Sequence, residues 1–280
     1  MNGNRVTLRV WGDFACFTRP EMKVERVSYP VMTPSAARGI LEAIFWEPQM
    51  YYLIDTIHII KRGRWLSFRR NEVTNVISLN SAKTWMQAPE KVTPIRAGGG
   101  ADDGTQRNML ALEDVEYLIT AEVRLTDIGT RHNLLQKYLD EIARRAQSGK
   151  CYHRPALGVR ECAADFEWVE NPQAMLAHRA AALGDAWEDY TEDLGLMLYD
   201  VFDVHERAAG FRWFTSAELD ALPPPRQGGR SRRAAAPAPP RYEGRLVAPA
   251  ATFFHAHVQA SAMDCHPERV RFVQQAQSHP

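Results

Sequence analysis

An α+β fold is what this sequence predicts, and three observations carry the prediction. Segments in which apolar and polar residues alternate with period two are interleaved with two segments whose apolar residues recur at helical spacing. Each helical segment carries its own boundary residues. The elements then follow in the order strand, helix, strand, strand, helix, strand, which is the split βαβ plan of a ferredoxin-like (RRM-like) domain.

Taken in order, "RVTLRVWGDFACF" alternates and is rich in β-formers, giving a strand from about Val6 to Phe14. "TPSAARGILEAIFWEP" supplies Thr33 as N-cap, Pro34 at the first helical position and apolar Ala37, Ile40, Leu41 and Ile44 on one face, before Pro48 stops the helix. "YYLIDTIHIIK" returns to strand, and "WLSFRRNEV" forms the arm of a basic hairpin. From about Ser78 to Arg107 the breakers of "APEKVTP" and "AGGGADDG" leave no steady period, so a long loop is expected, of a kind that is often functional. "NMLALEDVEYLITAEVRLT" gives one strand, or two with a turn near Glu113 and Asp114. "RHNLLQKYLDEIARRAQSG" places Leu135, Leu139, Ile142 and Ala146 on one side of a helix and Gly149 at its C-cap. "LGVRECAADFEWVE" closes the plan as a strand.

The ferredoxin-like domain therefore spans residues 1–170, and a smaller β-rich domain, containing "LGLMLYDVFDV" and "FRWFTSAELDAL", is expected over 171–222. Residues 223–245 are low in complexity, rich in Pro, Ala, Gly and Arg, and read as a basic linker or tail. Residues 246–280 are expected to return as one added strand.

With 45% hydrophobic and 24% charged residues, the chain has ample apolar content to fold, which excludes global disorder. The formal net charge is zero, so affinity for a polyanion has to come from patches. Arg62, Arg64, Arg69 and Arg70 form one; Lys137, Arg144, Arg145, Lys150, Arg154 and Arg160 form another. A solvated face explains any single run of this kind equally well. The N-terminus lacks the apolar stretch of a signal peptide, and no run approaches the roughly twenty apolar residues of a membrane span. Cys16, Cys151, Cys162 and Cys265 show no C-x-x-C spacing. No membrane partner and a cytoplasmic location are expected.

No H-E-x-x-H, Walker, G-x-S-x-G or D-x-D-x-D-G pattern occurs. His255, His257, Asp264, Cys265 and His266 offer metal-ligand chemistry, but their spacing matches no closed zinc pattern, and no metal or other cofactor is assigned. In the second helix Lys137, Tyr138, Asp140, Glu141, Arg144 and Arg145 lie off the apolar stripe. Their i,i+3 and i,i+4 spacing allows them simply to pair with one another. The adjoining "GKCYHRPALGVRE" differs: Lys150, Tyr152, His153 and Arg154 carry no local carboxylate. An uncompensated basic loop beside a sheet suits a phosphodiester backbone, and Tyr152 and His153 add faces for base stacking.

Several motifs in order, "RVWGDFACFTRPEMKVERVSYPVMTPSAARGILEAIFWEP", "RRNEV", "QRNMLALEDVEYLITAEVRLT" and "LGVREC", resemble the Cas5 (Cas-five) family of CRISPR systems, in its type I-C branch. The resemblance runs from about Arg5 to Glu170. It implies a RAMP-type ferredoxin-like domain with a β-rich extension. It also implies a subunit that cleaves precursor CRISPR RNA in the repeat and stays on the 5′ handle within Cascade, beside the backbone and large subunits. Cleavage in that family needs no metal: the 2′-hydroxyl attacks the adjacent phosphate, leaving a 2′,3′-cyclic phosphate and a 5′-hydroxyl. Such chemistry needs a base, a cation for the charge on phosphorus, and restraint of the nucleotide for in-line attack.

Residue by residue, the resemblance gives Lys137, twelve positions before Gly149, the phosphate-stabilising role, with Tyr138 following it. Where some relatives place tyrosine or histidine just before tryptophan, this chain has Phe45 before Trp46. Phenylalanine exchanges no proton, so base work falls to Tyr138, if cations such as Lys137 and Lys150 lower its pKa, or to His153. Arg38, Phe45, Trp46, Arg69 and Arg70 are further candidate RNA contacts, Arg38 having Glu42 four residues on as an alternative partner. A non-catalytic subunit that only caps the handle is the alternative that Phe45 favours.

Overall fold

In the computed structural model, which describes residues 3–98, 100–130, 134–187, 189–201 and 251–273, the chain opens with strand β1 (Arg5–Ala15) and a short strand β2 (Arg26–Val27). Thr33 then caps helix α1 (Pro34–Ile44): its hydroxyl accepts from the Ala36 amide at 3.3 Å, and Pro34 fills a position whose amide has no helical partner. The expected apolar stripe of Ala37, Ile40, Leu41 and Ile44 is the buried one. Strands β3 (Met50–Lys61) and β4 (Arg64–Val73), helix α2 (Leu79–Gln87) and strand β5 (Gly104–Leu125) follow. After them come a short helix α3 (Asp127–Thr130), helix α4 (Leu135–Gln147) and strand β6 (Asp165–Trp168). Helix α5 (Pro172–Leu183) and strands β7 (Glu192–Asp200), β8 (Thr252–Gln259), β9 (Ala262–Asp264) and β10 (Phe272–Val273) complete the described elements.

The strands form one sheet whose main path is β10-β8-β9-β3-β5-β1-β6, with β2 and β4 on β5 and β7 on β8. β5 is the hub. Its 22 residues run on through Glu113 and Asp114, where the sequence left a turn open; Asp114 takes φ 57° and the strand continues. Before this point β5 pairs with β4, and beyond it with β1 on one edge and β3 on the other, all antiparallel. Leu8, Val10, Tyr117 and Ile119 face the core shared with α1 and α4. Ile60 and Leu118 face the other way, toward Met175, Leu176 and Leu183 of α5. The period of two along each strand separates these sets, and each fully buried Ile or Leu stabilises by about 1.5–3 kcal/mol.

Two local expectations are corrected. The loop expected from Ser78 to Arg107 contains α2, whose first turn is capped by Ser78, its hydroxyl accepting from the Ser81 amide at 3.0 Å. α2 buries no residue, Leu79 and Met86 being 72% and 83% exposed, so no buried stripe marks it in the sequence. The closing strand is only Asp165–Trp168 long, because Leu157 to Cys162 fold back on themselves, the Leu157 amide donating to the Cys162 carbonyl at 2.7 Å.

Gly158, at φ +88°, presses this turn onto β1: a Cβ there would stand 2.0 Å from the Cys16 carbonyl oxygen. Gly158→Ala is therefore expected to cost about 2–3 kcal/mol of stability. A thermal melt checks it, and an unchanged Tm would refute the close approach.

Residues 171–222 begin with α5, capped by Asn171, whose side-chain oxygen accepts from the Ala174 amide at 3.0 Å. β7 pairs with β8, and β9 pairs with β3, so strands from both ends of the chain share the sheet. "FRWFTSAELDAL" and the basic linker 223–245 lie outside the described residues.

Candidate active site

The site is built where α1 stops. Phe45 leaves the helix in extended conformation (φ −156°, ψ 131°) while its amide still donates to the Leu41 carbonyl at 3.0 Å. Its own carbonyl accepts from the buried Tyr52 hydroxyl at 2.8 Å, which fixes the exit direction; the Phe45 ring is buried in the core, which corrects its expected role as an RNA contact. Trp46, the next residue, is 36% exposed.

α4 brings two groups to this end and carries Lys137 next to the first of them. Tyr138, in its first turn, is buried with its ring centroid 6.1 Å from that of Phe45. Arg145, two turns later, sets its guanidinium 5.4 Å over the Phe45 ring, a cation–π contact. Lys137, beside Tyr138, is exposed and has no ion pair among the described residues. The helix explains why. Glu141 is shared by Arg144 at 2.8 Å and Arg145 at 2.6 Å, and Asp140 accepts from Gln136 at 2.8 Å, so the carboxylates at i+3 and i+4 from Lys137 are engaged elsewhere. Hydrogen bonds from Arg144 and Arg145 hold the Glu141 carboxyl below the usual carboxylate range. Mutual pairing, one of the two sequence readings, thus accounts for Arg144 and Arg145 but not for Lys137.

The loop after α4 is pinned to the same corner. Gly149 takes φ 65°, the Lys150 amide returns to the Arg145 carbonyl at 2.9 Å, and the chain then crosses to α1. There the amides of Tyr152 and His153 both donate to the Ala43 carbonyl, at 2.8 and 3.0 Å. Their rings meet edge to face at 4.5 Å, with Tyr152 76% exposed. Lys150 is exposed without an ion pair among the described residues. Arg154 reaches Asp165 at 3.5 Å, both side chains being exposed, so the loop has one distant carboxylate that its own sequence does not show.

The structure thus gathers Phe45, Trp46, Tyr138, Arg145, Tyr152 and His153 around the end of α1, with Lys137 and Arg144 on α4 and Lys150 and Arg154 on the loop. Burial pushes the Tyr138 phenol up, and Glu47 adds to it. That reverses the condition under which Tyr138 was to act as base: at neutral pH it is a neutral hydroxyl able to donate.

Arg38, Arg69 and Arg70 are placed elsewhere. Arg38 is a buried internal strut, bonded to Glu42 and, at 2.7 and 3.0 Å, to Asp200 of β7. Its expected surface role is corrected, because α1 turns this side chain toward β7. Arg69 and Arg70 point to opposite faces of β4. Arg69 is exposed, whereas Arg70 is bonded to both Glu72 and Glu161. Sequence reasoning missed the other half of that cluster: Arg26 reaches Glu161 at 3.2 Å and Glu72 at 3.6 Å. No local pattern joins positions 26 and 161, so no signal marks the pair. Burial would raise the Glu161 carboxyl, but hydrogen bonds from its own backbone, Arg70 and Arg26 outweigh it and leave it below the usual range.

His255, His257, Cys265 and His266 do not converge, and no group of three potential metal ligands occurs among the described residues. His255 and His257 sit on the exposed face of β8, Cys265 is buried with its thiol 3.5 Å from the Met263 carbonyl, and His266 contacts Glu122 at 3.4 Å.

The family model described as CRISPR-associated protein (Cas_Cas5) matches residues 6–233. The CRISPR pre-crRNA endoribonuclease Cas5d of Mannheimia succiniciproducens is 39% identical over 211 residues, 74% of this chain and 89% of that protein. The protein of the same name from Thermus thermophilus is 43% identical over 202 residues, 72% of this chain and 75% of that protein. Among solved structures, one titled "Crystal Structure of CRISPR-associated Protein" shares the fold, with a TM-score of 0.51 at 18% identity, covering 98% of this chain and 93% of that one. With a model match over most of its length and two relatives near 40% identity, the chain belongs to the Cas5 family of CRISPR-associated proteins.

Proposed function

We propose that this chain is a metal-independent endoribonuclease that cuts precursor CRISPR RNA within the repeat and remains on the 5′ handle as a subunit of type I-C Cascade. Relatives named pre-crRNA endoribonuclease support the activity. One observation ties it to this geometry: Lys137, unpaired among the described residues, stands on the helix that feeds the pinned His153 loop to the end of α1. The order β3-β5-β1-β6, with two helices on one face, supports the ferredoxin-like reading of residues 1–170, with the remaining strands as its β-rich extension.

In this reading His153 takes the proton of the 2′-hydroxyl as its oxygen attacks the adjacent phosphorus. The bond from phosphorus to the 5′-oxygen breaks, that oxygen takes up a proton from water, and the products are a 2′,3′-cyclic phosphate and a 5′-hydroxyl. Lys137 stabilises the charge that builds on the non-bridging oxygens. Neutral Tyr138 donates a hydrogen bond rather than accepting the proton. Trp46 and Tyr152 offer stacking faces, and Lys150, Arg144 and Arg154 meet the backbone. Phe45 and Arg145 hold the floor of the site.

A labelled repeat hairpin incubated with the protein in EDTA is expected to give a single cut with a cyclic phosphate end. Tightly bound but intact RNA would instead establish the non-catalytic cap that Phe45 allows. His153→Ala is expected to slow the cut about 10²-fold, the usual contribution of a general base, and Tyr138→Phe by much less. The reverse order in single-turnover rates would move the base to Tyr138.

A further inference from the structure

The endoribonuclease reading uses the first part of the loop and leaves its far end, Glu161, without a role. Two arginines converge there from different strands. β2 and β4 both pair with the first half of β5, which sets Arg26 opposite Met109 and Arg70 opposite Arg107. Both guanidinium groups bond Glu161 and Glu72. Their side chains are 27% and 17% exposed, against 55% for Glu161, so the carboxylate is the more solvent-accessible member of the cluster. A partly exposed pair of this kind contributes little to stability. Each guanidinium has one nitrogen toward Glu72 and another toward Glu161, so when Glu161 leaves, one arm of each fork converges on the place it held, a geometry that suits a phosphate oxygen pair while Glu72 stays on the strand. Arg160, adjacent to Glu161, is exposed and has no ion pair among the described residues.

We propose that Arg26 and Arg70 form a phosphate subsite for the RNA strand, held closed in the free protein by Glu161, which a backbone phosphate displaces. The inference rests on the RNA-processing reading above and extends it along the loop: a strand whose reacting nucleotide lies by His153 continues over residues 154–160 to this pair. The loop does not have to move to admit it. The amides of Tyr152 and His153 on Ala43, and the Cys16 amide on Leu157 at 2.9 Å, hold the backbone while the Glu161 side chain swings. Displacing the carboxylate offsets part of what the phosphate contributes, so a strand too short to reach the pair gains nothing from it.

Dissociation constants for the repeat RNA, carrying a 2′-deoxy nucleotide at the mapped cut, test this across a range of salt. Glu161→Gln keeps the side chain's shape and removes its charge; it is expected to tighten binding about 3- to 10-fold with Tm nearly unchanged. Arg26→Gln with Arg70→Gln is expected to weaken binding at least 10-fold and to flatten the slope of log K against log salt by roughly 1, as the loss of one neutralised phosphate requires. In that double background, adding Glu161→Gln should bring no further gain, because its effect acts only through the two arginines. If Glu161→Gln weakens binding or leaves it unchanged, Glu161 is only a pin for the loop and the subsite is overturned, while the endoribonuclease reading stands. A wild-type protein that fails to bind the repeat overturns both.

Discussion

Lys137→Ala is expected to slow single-turnover cleavage of the repeat by about 10²–10³-fold, the cost of removing one donor aimed at developing charge. Affinity for the uncut repeat should fall less than about 5-fold, since a single exposed phosphate contact is one among several. The asymmetry follows from where the charge is needed. An ammonium near a diester with a single negative charge gains modestly on binding, and it gains far more when attack by the 2′-oxygen adds charge to the same oxygens. The availability of this amine comes from its helix: Arg144 and Arg145 occupy Glu141, and Gln136 occupies Asp140, so no carboxylate within one turn competes for Lys137. Equal losses of rate and affinity would assign Lys137 to binding alone. Retained cutting would remove it from the reaction.

The same residues show what a sequence discloses and what it withholds. α1 was legible because its cap, its proline and its apolar stripe are all encoded within one short segment, and α4 because Gly149 marks its end. α2 was not, because a helix that buries nothing leaves no periodic trace. Alternation predicts a longer closing strand than the fold has: Leu157, Cys162 and Ala164 are buried by a turn against β1, which alternation alone does not distinguish from a strand. At the site, neighbours along the chain remain neighbours in the fold. Lys137, Tyr138 and the residues from Lys150 to Arg154 follow one another, and the fold keeps them at one corner. Pairings across long stretches of chain were invisible, and these decide which cations face solvent. Arg70 and Arg38 both looked available; Glu161 closes over one, and Asp200, 162 positions away, holds the other.

Arg38 gives the second large effect, on stability rather than rate. Its guanidinium bridges Glu42 on its own helix and Asp200 at the end of β7, in a part of the core lined by Pro34, Tyr52, Leu53, Ile54 and Tyr199. The Arg38 and Asp200 side chains are 11% and 6% exposed, so water offers little compensation when either is removed. Arg38→Met is expected to cost about 3–5 kcal/mol, because it breaks a largely buried ion pair by removing one of its two members. For a chain of this size that lowers Tm by roughly 10 °C. Arg38→Met combined with Asp200→Leu should recover much of the loss, since replacing both members of a buried ion pair by apolar groups costs far less than removing one. A strut of this kind also predicts what does not change: at a temperature where Arg38→Met remains folded, its affinity for the repeat should equal that of the wild type. An unshifted Tm together with weakened RNA binding would place Arg38 back on the nucleic-acid surface and contradict the buried pair.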